Sequence, residues 1–221
     1  MIFSEKKPID ELLSMIGDKK KVVLVGCGSC ATSCKTGGQE EIDELTAILK
    51  DNGIEVLGYS IPDESCQKML VKKEMKAFRD IGAECVISMA CGNGAQTVAQ
   101  NTDLPVYPAN NTMYLAQVER IGIFNEMCRM CGDCEIGHTA GICPITQCAK
   151  SLVNGPCGGQ KNGMCEVNPD NECAWIMIYN KMKEQGREDE FINLLNDDKG
   201  YSKVSYPRHA NLKKKAEEVA E

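Results

Sequence analysis

The stretch KKVVLVGCGSCATSCKTGG, residues 20–38, decides the fold. Val22, Val23, Leu24 and Val25 are consecutive, mostly β-branched, and stopped by Gly26. Apolar residues on both faces of so short a run describe a strand inside a parallel sheet, covered on both sides. The loop that follows leads into a helix near Gln39–Lys50, and Asn52-Gly53 marks its end. A strand at Ile54–Tyr59 comes next, then a turn at Pro62-Asp63 and a helix over about 65–80. A third strand spans Glu84–Met89, and Ala90-Cys91-Gly92-Asn93-Gly94 opens a helix near 95–100. A short strand at Pro105–Tyr107 and a helix over about 112–120 complete the pattern, which a short amphipathic helix at 8–17 precedes. Strand and helix in alternation predict an α/β fold, a small parallel sheet of flavodoxin or Rossmann type. The expected domain is 1–122.

Beyond it the periodicity stops. From Cys128 to Cys173 the chain reads CRMCGDCEIGHTAGICPITQCAKSLVNGPCGGQKNGMCEVNPDNEC, with cysteines at 128, 131, 134, 143, 148, 157, 165 and 173. The first three form C-x2-C-x2-C, and Pro144 directly follows Cys143. That is close to the ferredoxin run, in which a tight triplet of thiolates wraps one face of a cubane and a later Cys-Pro supplies a further ligand. Eight sulfurs suffice for two cubanes. The stretch has too few apolar residues to offset the entropy of its own ordering, so bound metal has to tie it down. Structural zinc is the alternative, but zinc knuckles group their sulfurs as two close pairs rather than a triplet and widely spaced single residues. His138 reads as a loop residue. Helices are expected from Ala174 to Gly186, over 189–195 and over 212–221, making 123–221 an irregular cysteine-rich cluster-binding domain with C-terminal helices. Trp175 and Tyr179, four apart, read as a packing pair on the first of these. Lys213, Lys214 and Lys215 with Glu217 and Glu218 read as a solvated face.

A second set of thiols belongs to the α/β domain. Cys27, Cys30 and Cys34 follow the first strand, Cys66 the second and Cys91 the third. Carboxyl ends of parallel strands share one edge, where open α/β sheets bind ligands. Five thiols therefore gather where four complete a cubane, and Cys85, at the start of a buried strand, is core. The same loop meets the dinucleotide fingerprint only loosely, with Ala31 in the last glycine position. No acidic residue ends the second strand, and no lysine completes a phosphate loop. Neither His138 nor His209 stands near Cys27 in the chain, so no catalytic residue is assigned.

Composition bounds the class. The 221 residues hold 14 cysteines and a net charge of −7, from 25 Lys+Arg against 32 Asp+Glu. An acidic balance argues against nucleic acid. The first residues are charged and lack the apolar core of a signal peptide, and no run reaches the ~20 apolar residues of a membrane span. A cytoplasmic location follows, and clustered cysteines there bind metal rather than pair as disulfides.

Taken together, Cys128–Tyr179 (C-R-M-C-G-D-C, C-P-I-T-Q-C-A-K-S-L-V-N-G-P-C-G-G, C-A-W-I-M-I-Y) resembles the cysteine-rich family named for the C-terminal region of methylenetetrahydrofolate reductase. Upstream, V-G-C-G-S-C-A-T-S-C-K-T-G-G, A-C-G-N-G at 90–94 and P-V-Y-P-A-N-N-T at 105–112 resemble the small subunit of the acetogen-type reductase. The resemblance implies an iron–sulfur subunit of one-carbon metabolism, in the Wood–Ljungdahl pathway. Its implied partners are a flavin-bearing (β/α)8 barrel reductase subunit and ferredoxin or another redox protein. FMN is expected on the barrel, which 221 residues with these strands cannot also supply. The expected cofactors are two to three 4Fe-4S clusters, three at full loading, with zinc possible at one site. Electron transfer is the leading function. The alternative is a zinc- or cluster-stabilised adaptor without redox chemistry, docking a partner methyltransferase or reductase.

Overall fold

The computed structural model describes residues 1–196. His209, the lysine run at 213–215 and the helix expected over 212–221 lie outside them. The chain divides into two compact units, Met1–Cys128 and a second from Arg129 onward.

In the first unit, β1 (Ile2–Lys6) and α1 (Ile9–Ile16) lead into β2 (Lys21–Val25), α2 (Cys30–Ser33), α3 (Gln39–Asp51) and β3 (Glu55–Ser60). Then come α4 (Lys68–Ala77), β4 (Cys85–Ser88), α5 (Gly92–Ala99), β5 (Val106–Pro108), β6 (Asn110–Arg120) and β7 (Ile123–Cys128). The parallel sheet has the order β3-β2-β4-β5. The chain steps outward from β2 to β3, then crosses back to β4, so the order reverses between β2 and β4. That reversal opens a crevice at the carboxyl ends, as in flavodoxin-like sheets.

The period of two in β2 and β4 divides the core into two layers. Val22, Leu24, Cys85 and Ile87 face α1 and α3, packing with Leu12, Ile16, Ile42 and Leu49. Val23, Val25 and Val86 face the other way, onto Val71, Met75 and Phe78 of α4 and its end and Val98 of α5. A strand apolar at every position is thus explained by helices on both faces. The Glu41 carboxylate turns back to accept the Gly38 N–H at 2.9 Å, which caps α3.

Two expectations fail here, and the strand β1 was not expected. The helix expected over 112–120 is β6, the centre of a three-stranded antiparallel sheet of order β1-β6-β7. Leu115, Ala116, Gln117 and Glu119 are good helix formers, but pairing with Ile2–Lys6 and Ile123–Cys128 outweighs that weak preference. Phe3 stacks on Tyr114 at 4.9 Å between ring centroids and tilts against Phe124 at 5.1 Å, which fixes this sheet's register. The strand β1 carried no signal, because its apolar content is Ile2 and Phe3 alone. Finally, the helix expected over about 65–80 is shorter: Cys66 sits in the turn before Gln67, and α4 starts at Lys68.

The second unit is mostly turns, with α6 (Pro144–Gln147), α7 (Ala174–Glu184) and α8 (Glu188–Asn196). Its core is small. Trp175, Ile178 and Met182 of α7 pack on Phe191 and Leu194 of α8. Trp175 and Tyr179 both make T-shaped contacts with Phe191, at 6.2 and 5.3 Å between ring centroids. Between Arg129 and Cys173 the chain turns repeatedly through left-handed backbone, at Met130, Ala140, Ser151 and Asn162 and at several glycines. At Gly155, with φ +106°, an added Cβ would also lie 2.6 Å from Leu195. No helix among the described residues is long and apolar enough to cross a membrane.

Candidate functional site

Every cysteine is a thiol rather than half of a disulfide. In the first unit, three loops carry thiols to the crevice between β2 and β4, and close backbone contacts lock the loops together. Gly26 N–H donates to the Ser60 carbonyl at 2.9 Å, Gly28 N–H to the Pro62 carbonyl at 2.8 Å and Cys27 N–H to the Gly37 carbonyl at 3.0 Å. Ser65 Oγ donates to the Gly26 carbonyl at 2.5 Å, tying the Cys66 turn to the Cys27 loop. Asn110 Nδ2 bonds the carbonyls of Met89, at 2.6 Å, and Thr36, at 3.2 Å, tying the loop before Cys91 to the end of the first.

Glycines make this closeness possible. A Cβ on Gly37 would collide with the Met89 carbonyl, and one on Gly26 with that of Gly37. On Gly94 it would stand 2.6 Å from Ala90 Cβ and 3.1 Å from Ser65 Cβ. The glycines that suggested a nucleotide loop therefore hold backbone against backbone.

Cys27 is buried, against Ala31 and Ala90, and Cys91 caps the start of α5. Cys66 is pushed above the ordinary thiol range, first by burial and then by its neighbours Cys27 and Cys91. These three thiols come together. Cys30 and Cys34 stand at the two ends of α2, and the Cys34 thiol points to the Ile2 carbonyl of β1 at 3.5 Å. Burial pushes Cys34 upward, opposed by hydrogen bonding to Ser4, so its environment belongs to the antiparallel sheet. Cys85 is fully buried in the core with its pKa pushed up to about 11, chiefly by burial, which leaves it a neutral thiol at physiological pH.

In the second unit, Cys143 and Cys148 bracket α6, and Cys173 caps α7. Cys148 and Cys173 pack against the Trp175 core. The Trp175 indole N–H donates to the Leu152 carbonyl at 3.1 Å, holding the loop after Cys148 to that core. Cys165 and Cys173 share one folded-back segment, in which Cys165 N–H bonds the Asn171 carbonyl at 2.8 Å and Cys173 N–H the Gly163 carbonyl at 2.7 Å. The Cys165 sulfur accepts N–H groups of Asn168 and Val167, which hold its pKa below the ordinary thiol range. Cys157 lies beside Glu166, with Sγ to Oε1 at 3.3 Å, and Glu166 forms an ion pair with Lys150. Cys131 Sγ stands 3.3 Å from the Asp133 carbonyl. Cys128 and Cys134 are exposed, Cys128 at the end of β7. His138 lies in a turn, its N–H bonded to the Glu135 carbonyl, with Glu190 near its side chain.

Residues 107–201 match the family described as methylene-tetrahydrofolate reductase C terminal. This part of the chain is similar to the C-terminal region of methylenetetrahydrofolate reductase. The reductase C-terminal segment takes in all eight cysteines from Cys128 to Cys173 but none of Cys27, Cys30, Cys34, Cys66 or Cys91. It also includes β6, β7, α7 and α8. No curated protein and no solved structure matches the chain.

Among the described residues, no three His, Cys, Asp or Glu side chains are arranged to hold a single metal ion. Thiolates around one zinc, each about 2.3 Å from it, stand about 3.8 Å apart. The crevice thiols are not so gathered. At the start of α5 the Gly92 N–H donates to Thr112 Oγ1 at 2.7 Å, tying the Cys91 loop to β6. Sequence reasoning did not single out Lys150 and Glu166. They are 16 residues apart across a turn-rich stretch, a spacing with no periodic signature.

Proposed function

We propose that the chain is an electron-transfer iron–sulfur subunit acting with a methylenetetrahydrofolate reductase in one-carbon metabolism. It relays electrons between a redox protein such as ferredoxin and the flavin of a partner barrel subunit. The observation that carries this reading is the match to the reductase C-terminal family over a segment with eight thiols and only a small apolar core. A bound 4Fe-4S cluster supplies reversible one-electron transfer. The chain's part is to hold it, insulate it and tune it. In the first unit Cys27, Cys66 and Cys91 serve as ligands, with Cys30 as the fourth, since the Cys34 thiol is directed to Ile2. The eight thiols from Cys128 to Cys173 suffice for two further clusters. No residue is assigned to acid–base or nucleophilic chemistry.

The experiment follows from this division of labour. Purified anaerobically from its native cell, the chain should bring down a flavin-binding subunit. Isolated, it should neither bind flavin stoichiometrically nor turn over methylenetetrahydrofolate with an artificial electron donor. Turnover by the isolated chain would overturn the assignment.

A further inference from the structure

The Cys157 loop carries charges that the relay reading leaves unused. Lys150 and Glu166 form an ion pair, and both stand against Cys157. Cys157 Sγ lies 3.3 Å from Glu166 Oε1, and Gly159 N–H approaches the same sulfur at 3.5 Å. The Glu166 carboxylate also lies against Gly159, where a Cβ would meet it. Glu166 directly follows Cys165 in the chain, so the carboxylate beside Cys157 belongs to the residue next to Cys165. Two thiols eight residues apart are thus joined through one glutamate, and that glutamate holds Lys150.

We propose that Cys157 and Cys165 bind the same iron–sulfur cluster, and that Lys150, held in place by Glu166, sets its reduction potential. The inference rests on the iron–sulfur reading above. Reduction adds one electron, delivered by the redox-protein donor, to an already anionic site. A fixed ammonium close to the ligand sulfurs stabilises the reduced state more than the oxidised one, and a fixed carboxylate does the reverse. The pair is exposed, so its effect on the cluster should weaken as salt is raised. Lys150 is therefore a positioning and tuning residue, not a catalytic one.

The test is a redox titration of the full chain, reconstituted with iron and sulfide and followed by electron paramagnetic resonance. Lys150→Gln should lower the potential of one cluster, cutting its reduced-to-oxidised ratio at the wild-type midpoint about tenfold, or about 59 mV for one electron. Glu166→Gln should move the same cluster the opposite way, and Lys150→Arg should leave it near wild type. The signals of the other clusters should stay in place. Iron-loaded variants with unmoved potentials would overturn the proposal, as would shifts of the same sign in Lys150→Gln and Glu166→Gln. So would loss of one cluster's iron from both, which marks a structural role. A wild-type chain that takes up no iron would instead refute the iron–sulfur reading, and this proposal with it.

Discussion

Stripping iron from the anaerobic chain with an oxidant and a chelator should unfold most of the second unit and spare the parallel sheet. From Arg129 to Cys173 the buried apolar side chains amount to little more than Val153 and Pro144. Ordering each residue costs about 1–2 kcal/mol of backbone entropy, which such a core cannot offset. Trp175, Ile178, Met182, Phe191 and Leu194 form a small cluster, and Cys148 and Cys173 are part of its wall. Metal binding in such a segment is folding free energy. The first unit differs, because its two apolar layers cover both faces of β2 and β4. Hydrogen exchange checks this directly. Amides of Lys161–Cys173 should lose protection after iron removal, while those of Val22–Val25 and Cys85–Ser88 keep theirs. Equal protection in both states would mean that the cysteine-rich segment folds without metal.

The second large effect concerns the crevice thiols. Replacing Cys91 or Cys27 with serine should remove one cluster, about four irons per chain, and stop electron flow from donor to flavin in the reductase complex. Cys30→Ser should do the same. Cys34→Ala should keep its iron and its activity, because its thiol faces the Ile2 carbonyl. The crevice is the better candidate for the flavin-facing end of the relay. It is preformed, and next to it runs a shallow cleft of about 420 Å3 lined by Gly92, Pro108, Asn110 and Asn111 among others. In the Cys91→Ser complex, the remaining clusters should still accept electrons from the donor. If they became unreachable by the donor yet still exchanged electrons with the flavin, the order would be the reverse. If Cys34→Ala lost iron and Cys30→Ser did not, the two cysteines would exchange roles.

What the sequence showed depended on how local the signal was. Lys21–Val25 and Cys85–Ser88 were legible because strands buried on both faces need apolar residues at every position. Their order followed from the alternation of strand and helix, and with it the edge that gathers Cys27, Cys66 and Cys91. The β6–β7 hairpin was not legible. Leu115 to Arg120 favours helix locally, and its partner Ile2–Lys6 is more than a hundred residues away. The distinction between Cys30 and Cys34 was hidden for the same reason, since the group that engages Cys34 lies on β1. In the cysteine-rich segment, spacing suggested metal but could not show which sulfurs share neighbours. The folded-back chain at 163–173 and the Lys150–Glu166 pair supplied that.

The central claim is that these thiols hold iron–sulfur clusters used for electron relay. The most direct measurement is iron, sulfide and zinc content per chain, taken together with an anaerobic absorption spectrum before and after dithionite. At full loading, iron and sulfide should each approach about twelve per chain, at about four per cubane, with broad charge-transfer absorption that bleaches on reduction. A colourless chain carrying zinc would contradict the relay and leave a metal-stabilised adaptor in its place.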